Sequence, residues 1–285
     1  MHEAIGGRFR QVVTIFTPDI NTFLEIIFVH CVVISRSLAL YLFDPSHGWL
    51  LNNIDLYIPR HRVLHVMKRL HRLGYIPVKD VSQRHSHYHS ENDIASVTML
   101  TNGDHTVDLV ESTTISALSP IFKFHLTAVM NYVSADGFFS AYPTLTTRGC
   151  SLINPMQFIS HLPTSHMAAC FDKYLQQGYD LRFSPQQWAQ EEGREKEHMC
   201  RRRFECPHAL WSTFDSGCLF IRMRANICGV LLSADVPPQR CFEDRRAVVW
   251  CLGGHSCDST FEPLHPFSTL KGAHSLYGEI GLQQG

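Results

Sequence analysis

The sequence predicts an α+β protein, and three observations carry that reading. A helix, a short β-branched strand and a second helix follow one another between residues 19 and 43. A basic amphipathic helix occupies 60–73, and two apolar runs flank Asn102-Gly103. With 285 residues, 45% apolar and 18% charged, the chain is long enough for one large domain or two small ones and can bury a sizeable core.

The first helix is DINTFLEIIF, 19–28, with Ile20, Phe23, Leu24, Ile27 and Phe28 at i, i+3, i+4 spacing and Asp19 placed to cap it. VHCVVIS, 29–35, reads as a buried strand, and RSLALYLF returns to helix-forming residues, so the unit is strand, sharp turn, helix. After the turn-rich DPSHGWLLNN, the alternation in IDLYI (54–58) predicts a half-buried strand with a carboxylate on its other face. In the helix of 60–73, Val63, Val66, Met67, Leu70 and Leu73 form one stripe, Arg60, Arg62, Lys68, Arg69 and Arg72 surround it, and Gly74 ends it. Strands at 95–100 and 105–111 are expected to pair antiparallel across Asn102-Gly103.

Farther on, 121–133 reads as helix, 142–155 as loop, and 165–177 as a helix ending near Gly178. The organisation expected is an N-terminal extension (1–18), a core (19–150), a helical and Cys/His-rich C-terminal region that is less regular (151–260), and a loosely ordered tail (261–285).

Composition excludes little. A formal charge of -1 with pI near 7.0 gives no global positive field to recruit nucleic acid or anionic lipid, although the basic helix and Arg201, Arg202 and Arg203 offer a local site for RNA or a triphosphate. The residues at 24–43 are the one membrane candidate, but Glu25 and Arg36 interrupt them, and a charge near mid-bilayer costs about 2.5–3.5 kcal/mol. No membrane partner is expected. The first 20 residues lack a secretory pattern and the ten cysteines are dispersed, so the expectation is an intracellular, cytoplasmic protein with reduced thiols. Neither a P-loop, nor a G-x-G-x-x-G after a strand, nor a G-x-S-x-G elbow is present.

One constellation carries chemistry. Ser35-Arg36-Ser37 stands at the strand-to-helix turn, Asn53 and Asp55 project from one face of a strand, and Asp108 lies in TVDLVES, which an adjacent strand can bring beside them. Clustered hard oxygens suit Mg²⁺, and a small-residue turn ahead of a helix offers backbone N–H groups to a phosphate. The competing reading makes Asp55 and Asp108 solvated face residues and Ser37 a helix cap.

The run ISRSLALYLFDPSHGWLLNNIDLYIP, followed by an amphipathic helix, a hairpin and TVDLVES, resembles the nucleotidyltransferase-like (polymerase-beta-like) superfamily, especially divergent fungal members and bacterial abortive-infection nucleotidyltransferases. The likeness covers 20–112. A further similarity of 124–146 and 171–181 to uncharacterised fungal relatives extends it.

That resemblance implies a mixed sheet flanked by helices, with Ser37 matching the family Ser, Asp55 the second carboxylate and Asp108 the third. Arg36 stands where the family has Gly, and Asn53 where it has the first Asp. The implied ligands are Mg²⁺ on Asn53, Asp55 and Asp108, and an NTP contacted by Ser35, Arg36, Ser37 and Asn53. The implied reaction is in-line attack of an acceptor hydroxyl, of unknown identity, on the α-phosphate, with pyrophosphate leaving. With one negative charge fewer, a second ion should bind less well. The alternative is a non-catalytic interaction or scaffold domain that keeps the fold.

A second constellation gathers His198, Cys200, Cys206, His208 and Cys218. Thiolates with imidazole suit tetrahedral zinc, but the spacings match no standard finger, and unliganded residues are the competing reading. His85, His87 and His89 alternate in an extended tract that offers a third, adventitious metal site.

Overall fold

A computed structural model describes residues 2–46, 51–78, 93–135, 137–155, 165–191, 193, 206–222, 246–253 and 267–272. Two N-terminal helices, α1 (His2–Phe16) and α2 (Ile20–Val29), precede β1 (Val33–Ser35) and α3 (Arg36–Phe43). Then come β2 (Asn53–Ile58), α4 (Val63–Arg72), β3 (Ile76–Pro77), β4 (Ile94–Thr101) and β5 (Thr106–Ser112). The second half adds β6 (Asn131–Val133), β7 (Gly137–Ser140), α5 (Pro143–Thr146), β8 (Cys150–Leu152), α6 (Ser165–Gln176), β9 (Asp180–Arg182), α7 (Pro185–Glu191), β10 (Trp211–Ser212), β11 (Leu219–Arg222), β12 (Arg246–Cys251) and β13 (Phe267–Gly272).

The fold is α+β. One eight-stranded mixed sheet has the order β11-β7-β6-β1-β2-β5-β4-β3, and its parallel pair is β2 with β5. Local chemistry explains the elements that position the site. Asp19 caps α2 by accepting from the Thr22 amide at 3.0 Å. Gly74, with φ +90°, ends the basic helix just past Leu73. The β4–β5 hairpin turns where Asn102 Oδ1 accepts from the amides of Asp104 (3.1 Å) and His105 (2.8 Å), and Gly103 takes φ +99°.

Each face of the sheet buries its own core. On one face Ile34, Ile54, Leu56, Val107 and Leu109 meet α1, α2 and α4 through residues such as Phe9, Phe23 and Leu70. On the other, Val33, Tyr57, Val110, Tyr132 and Phe139 pack with the 117–153 segment, Tyr174 of α6, Trp188 and Trp250. Arg8 ties α1 to α3 by donating to the Leu42 carbonyl at 2.7 Å. Hence β2 is buried on both faces rather than half-buried, because later segments cover the side that carries Asp55.

Other expectations change because pairing between distant segments overrides local preference. Residues 121–133 form two short 3-10 turns (Ile121–Lys123 and Thr127–Val129) and then β6, not a helix. Phe124 and Leu126 are extended between the turns, and β6 finds partners in β1 and β7 that outweigh local helix preference. The expected loop at 142–155 contains α5 and β8, which pairs in parallel with β9. Within the expected tail, β13 pairs antiparallel with β12. Cys31 is disulfide-bonded, which corrects the reading of every cysteine as a thiol, since dispersal along the chain does not fix distance in space. The membrane candidate at 24–43 is divided among α2, β1 and α3. Among the described residues no single helix is long and apolar enough to cross a membrane; α1 and α2 meet the length and composition test only jointly, bent by 107°.

The last strand of the sheet depends on a glycine. A Cβ on Gly137 would run into the backbone carbonyl oxygen of Ile221 and come within 3.1 Å of Arg222 Cα, so Gly137→Ala should destabilise the fold by about 1–3 kcal/mol. Urea denaturation checks this; an unchanged midpoint would mean that β11 does not hold this close pairing.

Candidate functional site

Register does the assembling. Ser35 on β1 lies opposite Asp55 on β2, and Asp55 lies opposite Asp108 on β5, so three strands set these residues in one row. Alternation puts the two carboxylates on the face away from α4, under the cover supplied by the second half of the chain. Asn53, one pleat along β2, donates from Nδ2 to Asp108 Oδ2 at 3.3 Å.

The chain then turns from β1 into α3 at Arg36, whose φ is +59°. This is left-handed backbone, which glycine adopts freely and a side chain adopts at a cost of about 1–2 kcal/mol. The turn thus has the geometry of a glycine position, although an arginine occupies it. From there the guanidinium reaches Asp55 Oδ1 at 3.1 Å and lies 5.5 Å from the centre of the Phe124 ring and 6.0 Å from that of Tyr57.

Ser35 is fully buried, and its hydroxyl donates to the Asn131 carbonyl at 2.6 Å, fastening β1 to β6. Ser37 is different. Its hydroxyl accepts from Lys173 Nζ at 2.7 Å and is hydrogen-bonded to Tyr174, both on α6. The row therefore carries two carboxylates and two cations, with a serine hydroxyl beside them.

Burial dominates the electrostatics. The Asp55 carboxyl is pushed above the usual range by loss of water and further by Asp108, while Arg36 and Lys173 pull it back. Lys173 is pushed down by burial and by Arg36, against the opposing field of Asp55. Burial also raises the Cys170 thiol, one turn before Lys173, and takes the Tyr174 hydroxyl up to about 12.

The hard-oxygen donors of the row are few. Asp55 and Asp108 offer hard oxygens in adjacent register, and half a turn of the Asn53 amide would present its oxygen as well. Asn53 is an amide and not a third carboxylate, and Arg36 is already on Asp55. Among the described residues no group of three or more His, Cys, Asp or Glu side chains is placed to hold a metal.

The Cys/His constellation is only partly in view. His198 and Cys200 lie outside the described residues, as do His85, His87 and His89. Cys206 is buried and Cys218 half-buried, neither in a disulfide, and His208 is buried.

Lys173 and Tyr174 escaped sequence reasoning, since a lysine and a tyrosine in a helix carry no spacing signal and meet the turn across 136 residues of chain. No protein-family model, no curated protein and no solved structure matches this chain.

Proposed function

We propose that the chain is a divergent nucleotidyltransferase-like protein that binds a nucleoside triphosphate with Mg²⁺ over the β1–β2–β5 row and transfers a nucleotidyl group to an acceptor hydroxyl. One observation carries the reading: Asp55 and Asp108 stand side by side in parallel register, next to a strand-to-helix turn whose backbone is left-handed. The resemblance of residues 20–112 expects carboxylates and a glycine-like turn at these positions.

Asp55 and Asp108 would hold the ion, with Asn53 as a neutral third donor. Mg²⁺ in such a seat stabilises charge on the transferring phosphoryl group. Ser37 and Lys173, hydrogen-bonded to each other at 2.7 Å, would contact phosphate oxygens, and Lys173 would supply positive charge where the triphosphate gathers negative charge. Tyr174, hydrogen-bonded to Ser37, orients that hydroxyl. An RNA acceptor has one supporting feature, the basic face of α4, and that helix packs against the opposite face of the sheet.

The test is thermal unfolding with each NTP, with and without Mg²⁺. A nucleotide at about 100 times its dissociation constant should stabilise the native state by about 2.7 kcal/mol. The absence of any shift would overturn the proposal and leave the second reading, a non-catalytic scaffold. That reading has its own observation, the ion pair that closes Asp55. The zinc proposal for His198, Cys200, Cys206 and Cys218 is tested by metal content after dialysis of wild type and Cys206→Ser.

A further inference from the structure

Arg36 is anchored in three ways at once. Its guanidinium pairs with Asp55, whose side chain keeps only 6% of its surface exposed. Two aromatic rings, Tyr57 and Phe124, lie within 6.0 Å and 5.5 Å of it. Its backbone sits at φ +59°, a conformation that a non-glycine residue holds only when its surroundings fix it.

The charge count around the row is already closed. Two acidic side chains, Asp55 and Asp108, face two basic ones, Arg36 and Lys173, so their formal charges cancel. A divalent ion entering beside an intact Arg36–Asp55 pair would find no net negative charge and would share Asp55 Oδ1 with a guanidinium. The two occupants repel and compete for the same lone pairs.

We propose that Arg36 is a built-in occupant of the Asp55–Asp108 cation seat. It excludes free divalent metal and yields the seat when a phosphate group draws the guanidinium away. Phosphate is a suitable competitor because its oxygens accept paired hydrogen bonds from guanidinium, as a carboxylate does, and Ser37 and Lys173 stand beside the seat to receive it. The Arg36 side chain is 30% exposed, so it has an open side toward which to swing. Metal and nucleotide would then bind together rather than in sequence, with the ion arriving on the phosphates. This rests on the reading of Asp55 and Asp108 as a metal seat.

The experiment is a Mn²⁺ titration of the full chain without nucleotide, followed by the loss of the free-ion electron paramagnetic resonance signal. Wild type should bind weakly. Arg36→Gly, which suits the left-handed turn, and Arg36→Ala should each bind at least tenfold more tightly, and adding Asp108→Asn to Arg36→Gly should remove the gain. Equal affinity in wild type and both Arg36 variants overturns the proposal, as does a gain that survives Asp108→Asn. If neither variant folds, Arg36→Gln, which keeps most of the side chain without its charge, decides: a gain in Mn²⁺ affinity that Asp108→Asn removes upholds the proposal, and wild-type affinity overturns it. A chain that shows no thermal shift with any NTP, yet gains Mn²⁺ affinity in Arg36→Gly, loses the transferase reading and the release of Arg36 by phosphate, and keeps the exclusion of free metal.

Discussion

On the proposed transferase reading, Asp108→Ala should reduce nucleotidyl transfer from an α-labelled NTP by about three orders of magnitude, because a metal ligand would supply several kcal/mol of transition-state stabilisation and each 1.4 kcal/mol is tenfold in rate. The fold should survive. Asp108 is half-buried at the edge of the covered face, and its carboxylate raises the pKa of Asp55, so its loss relieves one like-charge repulsion. Asp55→Ala should abolish transfer equally but is the poorer diagnostic, since it also removes the buried partner of Arg36. Melting curves of Asp108→Ala, taken beside the transfer assay, separate loss of chemistry from loss of structure. Transfer that persists in a folded Asp108→Ala protein places the reaction elsewhere.

Acidification should weaken the native state through His30, by about 3 kcal/mol between pH 6.5 and 4. His30 follows the last turn of α2 and is 8% exposed, and neither ring nitrogen has a hydrogen-bond partner among the described residues. Burial, then the positive charges of Arg69 and Arg62 and the neighbouring His65, push its pKa from 6.5 to about 4.

Over that window the unfolded chain carries the proton and the folded chain does not, so stability rises with pH from 4 to 6.5. Asp55 works in the opposite sense. Its raised pKa gives a contribution present below the ordinary carboxylate value and lost as pH rises through the folded one. The two effects oppose each other in wild type, so the diagnostic quantity is the difference between wild type and His30→Leu, measured by urea denaturation at several pH values. His30→Leu should flatten the acid limb; curves that stay parallel across the window would show that His30 does not titrate as its burial demands.

Elements whose local chemistry and tertiary context agree were legible without coordinates. The cap at Asp19, the stripe on α4 and the Asn102-Gly103 turn each declare themselves within a few residues, and each forms where expected. Residues 121–133 were not legible, because their apolar run suits a helix equally well. Only the open edges of β1 and β7 decide that Asn131–Val133 becomes a strand. The loop expected at 142–155 fails for the same reason, since β8 exists only through its pairing with β9.

The site divides along the same line. The sequence by itself determined the α+β class, the positions of Ser37, Asn53, Asp55 and Asp108 near strand ends, and the presence of an arginine at the turn. Those features are periodicities and residue types, which travel with the chain. Only the tertiary structure decided that Asp55 is buried, that Arg36 turns back onto it at 3.1 Å, and that Lys173 arrives from α6 to meet Ser37 at 2.7 Å. Burial and charge pairing depend on segments separated by 19 and 136 residues, and no local pattern encodes where such segments meet.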